Sequence, residues 1–142
     1  RAFPGGAFAF DMGLAMAAPF NIAVAPQVSE LRRGRAVVVM RDRSWRRNHL
    51  GSIHAMALGT LAEITANLAL LASLPPGARM IPTSFDIEFS KKARGTITAV
   101  TAFDESTLDA RPSEIVLTTQ LADAHDVVVA RAQQTCRLKW AS

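Results

Sequence analysis

Cysteine is almost missing from this chain: Cys136 stands alone, so no disulfide can close within it. That usage agrees with a reducing compartment, and a cytoplasmic protein is expected. Tyrosine is absent, and 2 Trp and 7 Phe make up the aromatic residues. Stacking platforms for single-stranded nucleic acid are therefore poor, and no nucleic-acid partner is expected. No His or Cys has a partner at metal-ligand spacing, so neither a metal nor another bound cofactor is predicted. Pro (7) and Gly (8) are not in excess and no tract is of low complexity, which excludes disordered and collagen-like classes. Long apolar runs free of charge are lacking too. Residues 2–24 are mostly apolar, but Asp11 interrupts them and no basic leader or clear cleavage site is visible. Residues 51–74 carry Glu63 mid-segment, and a charge at a bilayer centre costs roughly 2.5 kcal/mol or more, so a buried helix is predicted and no membrane span.

What is present is a globular composition: 142 residues, 49% hydrophobic, 20% charged, net charge +4. This is enough for one domain with its own core. Residues 1–142 are read as that single domain, with 1–24 as an N-terminal helical segment and 25–142 as the core. The basic residues gather at Arg32, Arg33 and Arg35, between Arg41 and Arg47, and at Lys91, Lys92 and Arg94. Solvated strand ends and loops account for them simply.

Along the chain, residues 11–18 (DMGLAMAA) read as a short helix stopped by Pro19. Val28, Leu31 and Val37 to Met40 suggest a first strand with Gly34 as a bend or bulge, followed by a polar loop over 43–50. Ser52 is a plausible N-cap for a helix running to about Ser73. In it Ile53, Ala57, Leu61, Ile64, Leu68 and Leu71 draw one apolar stripe, while Met56, Thr60 and Asn67 lie opposite, and Pro75, Pro76 and Gly77 end it. Such a helix needs cover on most sides. Then MIPTSFDIEF alternates with period two, placing Ile81, Phe85, Ile87 and Phe89 on one face. Residues 95–103, 115–121 and 127–140 read as three more strands, and the short links 104–112 and 122–126 predict antiparallel neighbours throughout. The expectation is an α+β fold in which a curved antiparallel sheet of about five or six strands wraps one long central helix.

The stretch Asn48-His49-Leu50-Gly51-Ser52-Ile53-His54-Ala55 combines a loop amide, a histidine and a helix N-terminus, whose free N–H groups can hold an oxyanion. The same helix carries Glu63 as its one charged residue. A carboxylate in an otherwise apolar helix must be neutral, paired, or next to water or a ligand. His54 and Glu63 are nine residues apart, about 180° around the axis and about 13 Å along it, so they cannot meet within one chain. If both serve one site, a second subunit supplies one of them, and a twofold dimer holds two such sites.

The run NHLGSIHAMALGTLAEITANLALL, together with FSKKARGTITA, resembles the hotdog-fold acyl-CoA thioesterases of the phenylacetate-pathway type. It is similar above all to a bacterial branch of unassigned function, and the likeness covers roughly residues 25–140. The resemblance implies a hydrolase of acyl-coenzyme A or acyl-carrier thioesters, assembled as a homodimer or a dimer of dimers. Coenzyme A would enter only as part of the substrate. Carried onto this sequence, it makes Glu63 the general base or nucleophile and the Ala55 N–H the donor to the thioester carbonyl. Asn48 orients water or carbonyl, His54 shapes the same corner, and Ser84 is an assisting hydroxyl. Lys91, Lys92 and Arg94 meet the phosphates of coenzyme A. The acyl slot is lined by residues such as Met56, Leu61 and Ile64.

Two departures stand out. The His-Gly-Gly of active relatives reads His54-Ala55-Met56, which narrows the approach of a ligand to the backbone, and Glu replaces the commoner Asp. The first favours an alternative, a non-catalytic acyl-thioester or fatty-acyl binding protein of the same fold. The hydratase branch of the fold carries an Asp and a His five residues apart, and no such pair accompanies this helix.

Overall fold

The structure, a computed structural model, describes residues 24–42 and 53–142. The helix expected over 11–18, Met12 and Met16 within it, the loop over 43–50 with Asn48 and His49, and Ser52 all lie outside the described residues.

Among the described residues, six strands form one sheet around one α-helix. The strands are β1 (Gln27–Arg32), β2 (Arg35–Met40), β3 (Arg79–Phe89), β4 (Ile97–Ala102), β5 (Glu114–Ala122) and β6 (Val128–Lys139). The helix, α1, spans Ala55–Leu71, and a short 3-10 helix spans Glu105–Ala110. Every pairing is antiparallel, and the order across the sheet is β1-β2-β4-β5-β6-β3.

Alternation explains most of the sheet. Ala36, Val38 and Met40 of β2, Ile97, Ala99 and Thr101 of β4, and Leu117, Thr119 and Leu121 of β5 are all buried. They face α1, which buries Leu58, Leu61, Ala62, Ile64, Leu68 and Ala69 against them. Two buried hydroxyls inside this face satisfy each other, Thr101 and Thr119, at 2.6 Å across β4 and β5. Within α1 the Thr60 and Thr65 hydroxyls bond back to the Met56 and Leu61 carbonyls, so neither leaves an orphan. The helix is thus covered along its length, and no helix among the described residues is long and apolar enough to cross a membrane.

Four sequence expectations need correction. The single first strand is a hairpin: Gly34 turns the chain at φ 77, and a Cβ there would stand 2.8 Å from the Phe103 carbonyl oxygen. Only glycine supplies that turn without a clash. The helix is capped by His54 and stops at Leu71, rather than running from Ser52 to Ser73. The link over 104–112 holds the 3-10 helix, capped by Asp104, whose carboxylate accepts from the Ser106 N–H at 3.0 Å. Finally, β3 does not neighbour β4. Residues 90–96 are long enough to carry the chain across the sheet, and β3 pairs along its length with β6 at the far edge.

A bulge between Pro82 and Ser84 also divides β3. Ile81 pairs with the exposed Arg137, whereas Phe85, Ile87 and Phe89 pair with the buried Gln134, Ala132 and Ala130. The inner face therefore holds Phe85, Ile87 and Phe89 but not Ile81, because the extra residue shifts the side-chain alternation by one.

Candidate active site

The N-terminus of α1 is built by two contacts. The Ile53 N–H donates to the Ala93 carbonyl at 2.7 Å, tying the helix start to the basic segment after β3. His54 then adopts extended backbone (φ −62, ψ 136), and its Nδ1 accepts from the Met56 N–H at 3.2 Å. Nδ1 is therefore unprotonated in this arrangement and the ring hydrogen sits on Nε2. The His54 carbonyl accepts from Ala57 and Leu58. The Ala55 N–H takes no partner among the described residues, so it is the free donor at the positive end of the helix dipole.

Below this donor a groove of about 380 Å³ opens between α1 and β3, lined by Ala55, Met56, Gly59, Thr60, Glu63, Phe85, Ile87 and Phe89. It exists because α1 packs broadly on the other five strands and much less on β3. Its walls are largely apolar, and three of its large side chains remain well exposed: Met56 65%, Phe85 40%, Phe89 49%. Glu63 is also exposed and makes no hydrogen bond or ion pair among the described residues. It is a free carboxylate on the groove wall.

Ala55 and Glu63 are eight residues apart, about 12 Å along the axis and about 80° around it. They share one groove, but a reacting atom touching both cannot be placed within one protomer. His54, although next to Ala55, lies outside the groove lining and serves as the helix cap.

The remaining predicted residues are placed as follows. Ser84 pairs with Thr135 on the outer face of β3, opposite to Phe85, so it is not brought to the groove. Leu61 and Ile64 are buried in the core at 0% and 5% exposure rather than lining the slot; Met56 does line it. Lys91, Lys92 and Arg94 are exposed and flank the buried Ala93, beside the helix start through the Ile53 bond. Lys91 also lies close enough to Asp123 to help hold that carboxyl below its usual range. Asn48 lies outside the described residues. Gly59, Phe85 and Phe89 were not anticipated as groove residues, although the i, i+4 spacing from Ala55 and the period-two pattern of β3 carry the signal.

A second cavity, of about 520 Å³, sits at the opposite end of α1 between Arg33, Pro75, Leu108, Arg111 and Trp140. It contains none of the predicted residues. Among the described residues no cluster of His, Cys, Asp and Glu could hold a metal ion.

Comparison with known proteins agrees with this fold. A structural-genomics protein designated APC5556 superposes with a TM-score of 0.83 at 34% identity, covering 93% of this chain and 88% of the other. A Pseudomonas aeruginosa protein, PA5026, named a probable thioesterase, gives 0.81 at 24% identity over 96% of each chain. The Escherichia coli PaaI protein of the phenylacetic acid degradation operon gives 0.74 at 16% identity, covering 96% of this chain and 95% of the other. No curated protein matches the sequence. Residues 6–138 match the family described as Domain of unknown function (DUF4442). One helix held by a six-stranded antiparallel sheet, shared with these hotdog structures, and a family match over nearly the whole chain place the protein in the DUF4442 family with the hotdog fold.

Proposed function

We propose that the protein hydrolyses acyl thioesters of coenzyme A or an acyl carrier, at a site completed by a second copy of itself. The observation that carries the reading is the pair on one helix face: an N–H at Ala55 and a carboxylate at Glu63, neither partnered among the described residues, at opposite ends of an apolar groove. The names of fold relatives point the same way, PA5026 as a probable thioesterase and a zebrafish thioesterase superfamily member 2 at 17% identity.

In this reading the acyl group lies in the groove and its carbonyl oxygen accepts from the Ala55 N–H. Glu63 of the opposite copy takes a proton from water as the oxygen attacks the carbonyl carbon. Negative charge builds on the carbonyl oxygen, where the helix terminus already stabilises it; losing one such donor costs about 3 kcal/mol of barrier. Collapse breaks the carbon–sulfur bond, and the thiolate takes the proton back. In the nucleophilic variant Glu63 attacks directly and water opens the anhydride. No metal is needed to activate the water, since the carboxylate supplies the base.

The edge strand favours the second copy. β3 is 11 residues long and, among the described residues, pairs only with β6, leaving a row of backbone groups open there. A long apolar edge invites aggregation unless another strand covers it. The basic residues Lys91, Lys92 and Arg94 stand beside the helix start, where the phosphates of coenzyme A would leave the site.

The test is Glu63→Gln with a medium-chain acyl-coenzyme A and free-thiol detection. Turnover should fall by orders of magnitude while the circular dichroism spectrum stays that of the parent. Unchanged turnover removes Glu63 from the chemistry. The second reading, binding without hydrolysis, is favoured by Met56, which stands 65% exposed over the approach to the Ala55 N–H. Retention of an acyl-coenzyme A with no thiol released by the parent protein would establish it.

A further inference from the structure

Gly59 is the one glycine of α1, and nothing among the described residues of the protomer asks for it. Its φ is not positive, since Gly34, Gly77 and Gly95 are the glycines that need that freedom. Among the described residues, a Cβ built on Gly59 would meet only a Phe85 ring carbon at 3.9 Å, an ordinary contact. Alanine would fit and would strengthen the helix, because glycine in a helix interior costs backbone entropy. A residue that breaks a local rule without a local reason directs attention to what lies outside the protomer.

Its position on the helix supplies the reason. Ala55, Gly59 and Glu63 follow one another at intervals of four residues and form a single ridge along the groove side of α1. Suppose the Ala55 of one copy faces the Glu63 of the other. A twofold axis can do this only if it is perpendicular to the helices, which then run antiparallel; a parallel pair would set each residue against its own twin. In the antiparallel pair the residue that faces its own twin is the midpoint between Ala55 and Glu63. That midpoint is Gly59. Each functional residue stands about 6 Å along the axis from it.

We infer that Gly59 is the crossing point of two α1 helices in a twofold dimer, and that its missing side chain sets the closeness with which one copy's Glu63 approaches the other's Ala55 N–H. The inference rests on the shared-site reading above and deepens it by naming the axis. Packed helices lie about 8–10 Å apart according to the side chains at the contact, and glycine on both sides permits the near end of that range. Gly59 is a positioning residue in this arrangement. Met56, Phe85 and Phe89, exposed around the same groove, provide the apolar surface that the second copy covers.

Cross-linking tests this without relying on turnover. A zero-length disulfide needs Cα atoms within about 7 Å, a condition met by a residue on the axis and by few others. Cys136 is fully buried, so the parent protein is its own blank. Under mild oxidation Gly59→Cys should give a covalent dimer that reductant dissolves. Ala55→Cys and Glu63→Cys should stay unlinked when each is alone, their twins being about 12 Å apart along the axis, yet link when the two variants are mixed. Gly59→Leu should weaken dimerisation at least tenfold by solution mass and lower turnover with it. Folded Gly59→Cys that stays monomeric on gels, with the mixed pair linking, overturns the crossing point and leaves the shared site standing. Failure of both to link removes the shared site as well. Linking of Gly59→Cys and of the mixed pair, when the parent protein hydrolyses no thioester, keeps the crossing point and removes the enzymatic reading. Gly59→Leu with parental mass and parental turnover also overturns the inference.

Discussion

The Gln134 side-chain amide donates to Asn67 Oδ1 at 2.7 Å, joining β6 to α1 one turn beyond Glu63. Gln134 is 1% exposed, and its Oε1 has no partner among the described residues. Exchanging the amide's two ends only swaps a stranded acceptor for a stranded donor. The pair is therefore asymmetric. Asn67→Ala removes the oxygen acceptor and leaves the buried amide only its weak bond to Cys136 Sγ at 3.3 Å, which should cost about 1–3 kcal/mol in urea unfolding. Gln134→Met removes the stranded atom together with the bond, and half-exposed Asn67 can turn to water, so that variant should fall within about 1 kcal/mol of the parent. Equal losses from both would show that the bond itself carries the stability.

The turn glycines separate two causes of strain. Gly34 and Gly95 both have positive φ, 77 and 76. A Cβ on Gly34 would meet the Phe103 carbonyl oxygen at 2.8 Å, whereas a Cβ on Gly95 meets nothing within 4 Å. Gly95→Ala should cost about 1–2 kcal/mol from backbone strain alone. Gly34→Ala should cost more, because the Phe103 carbonyl oxygen, just beyond β4, must also shift. Chemical denaturation of the two variants side by side checks the ranking.

The helix is legible in the sequence because Leu61, Ile64 and Leu68 recur at helical spacing and Pro75 and Pro76 end the run. Glu63 is legible as the single charge on it. The place of β3 is not, since period-two alternation tells which side chains share a face but not which strand lies alongside. The bulge at Pro82–Ser84 hides Ile81's true face for a related reason: one extra residue resets the alternation, and Pro82 suits an edge strand as well as a bulge. The β1–β2 turn is misread because Gly34 suits a bulge as well as a hairpin until the Phe103 carbonyl behind it is known. Ser84 is suggested as a site residue only by its position in the chain, and its register opposite Thr135 sets it on the face of β3 away from Phe85.

Asp123 organises the β5–β6 turn, its Oδ1 accepting from the His125 N–H at 2.9 Å and the Val127 N–H at 3.1 Å. The Val127 bond holds its carboxyl below the usual aspartate range, and the His125 N–H adds to this, while partial loss of water pushes the other way. A depressed folded-state value means a contribution present above the unfolded-state value and lost as pH falls through the folded one. Asp123→Asn should therefore flatten the acid side of the stability curve, below the ordinary aspartate range, and leave the slope above neutrality unchanged. An acid limb identical to the parent's would show that the turn does not depend on the charge.

The basic segment after β3 offers the sharpest check on substrate class. Ala93 is buried and its carbonyl accepts from the Ile53 N–H at 2.7 Å, so Lys92 and Arg94 are held beside the free N–H of α1. Lys91 is partly engaged with Asp123, which leaves Lys92 the freer ammonium for a phosphate. A charge-assisted contact to an exposed phosphate is worth roughly 1.4 kcal/mol, a factor of ten in affinity. Lys92→Glu should raise KM for an acyl-coenzyme A about tenfold, with kcat little changed, because the substitution touches neither the Ala55 N–H nor Glu63. The same variant should treat an acyl-pantetheine, which lacks the nucleotide and its phosphates, as the parent does. Raising salt should shrink the difference between parent and variant, since exposed charges are screened over about 8–10 Å at ordinary ionic strength. A KM change of equal size for both substrates would mean that Lys92 acts on the helix start rather than on the phosphates.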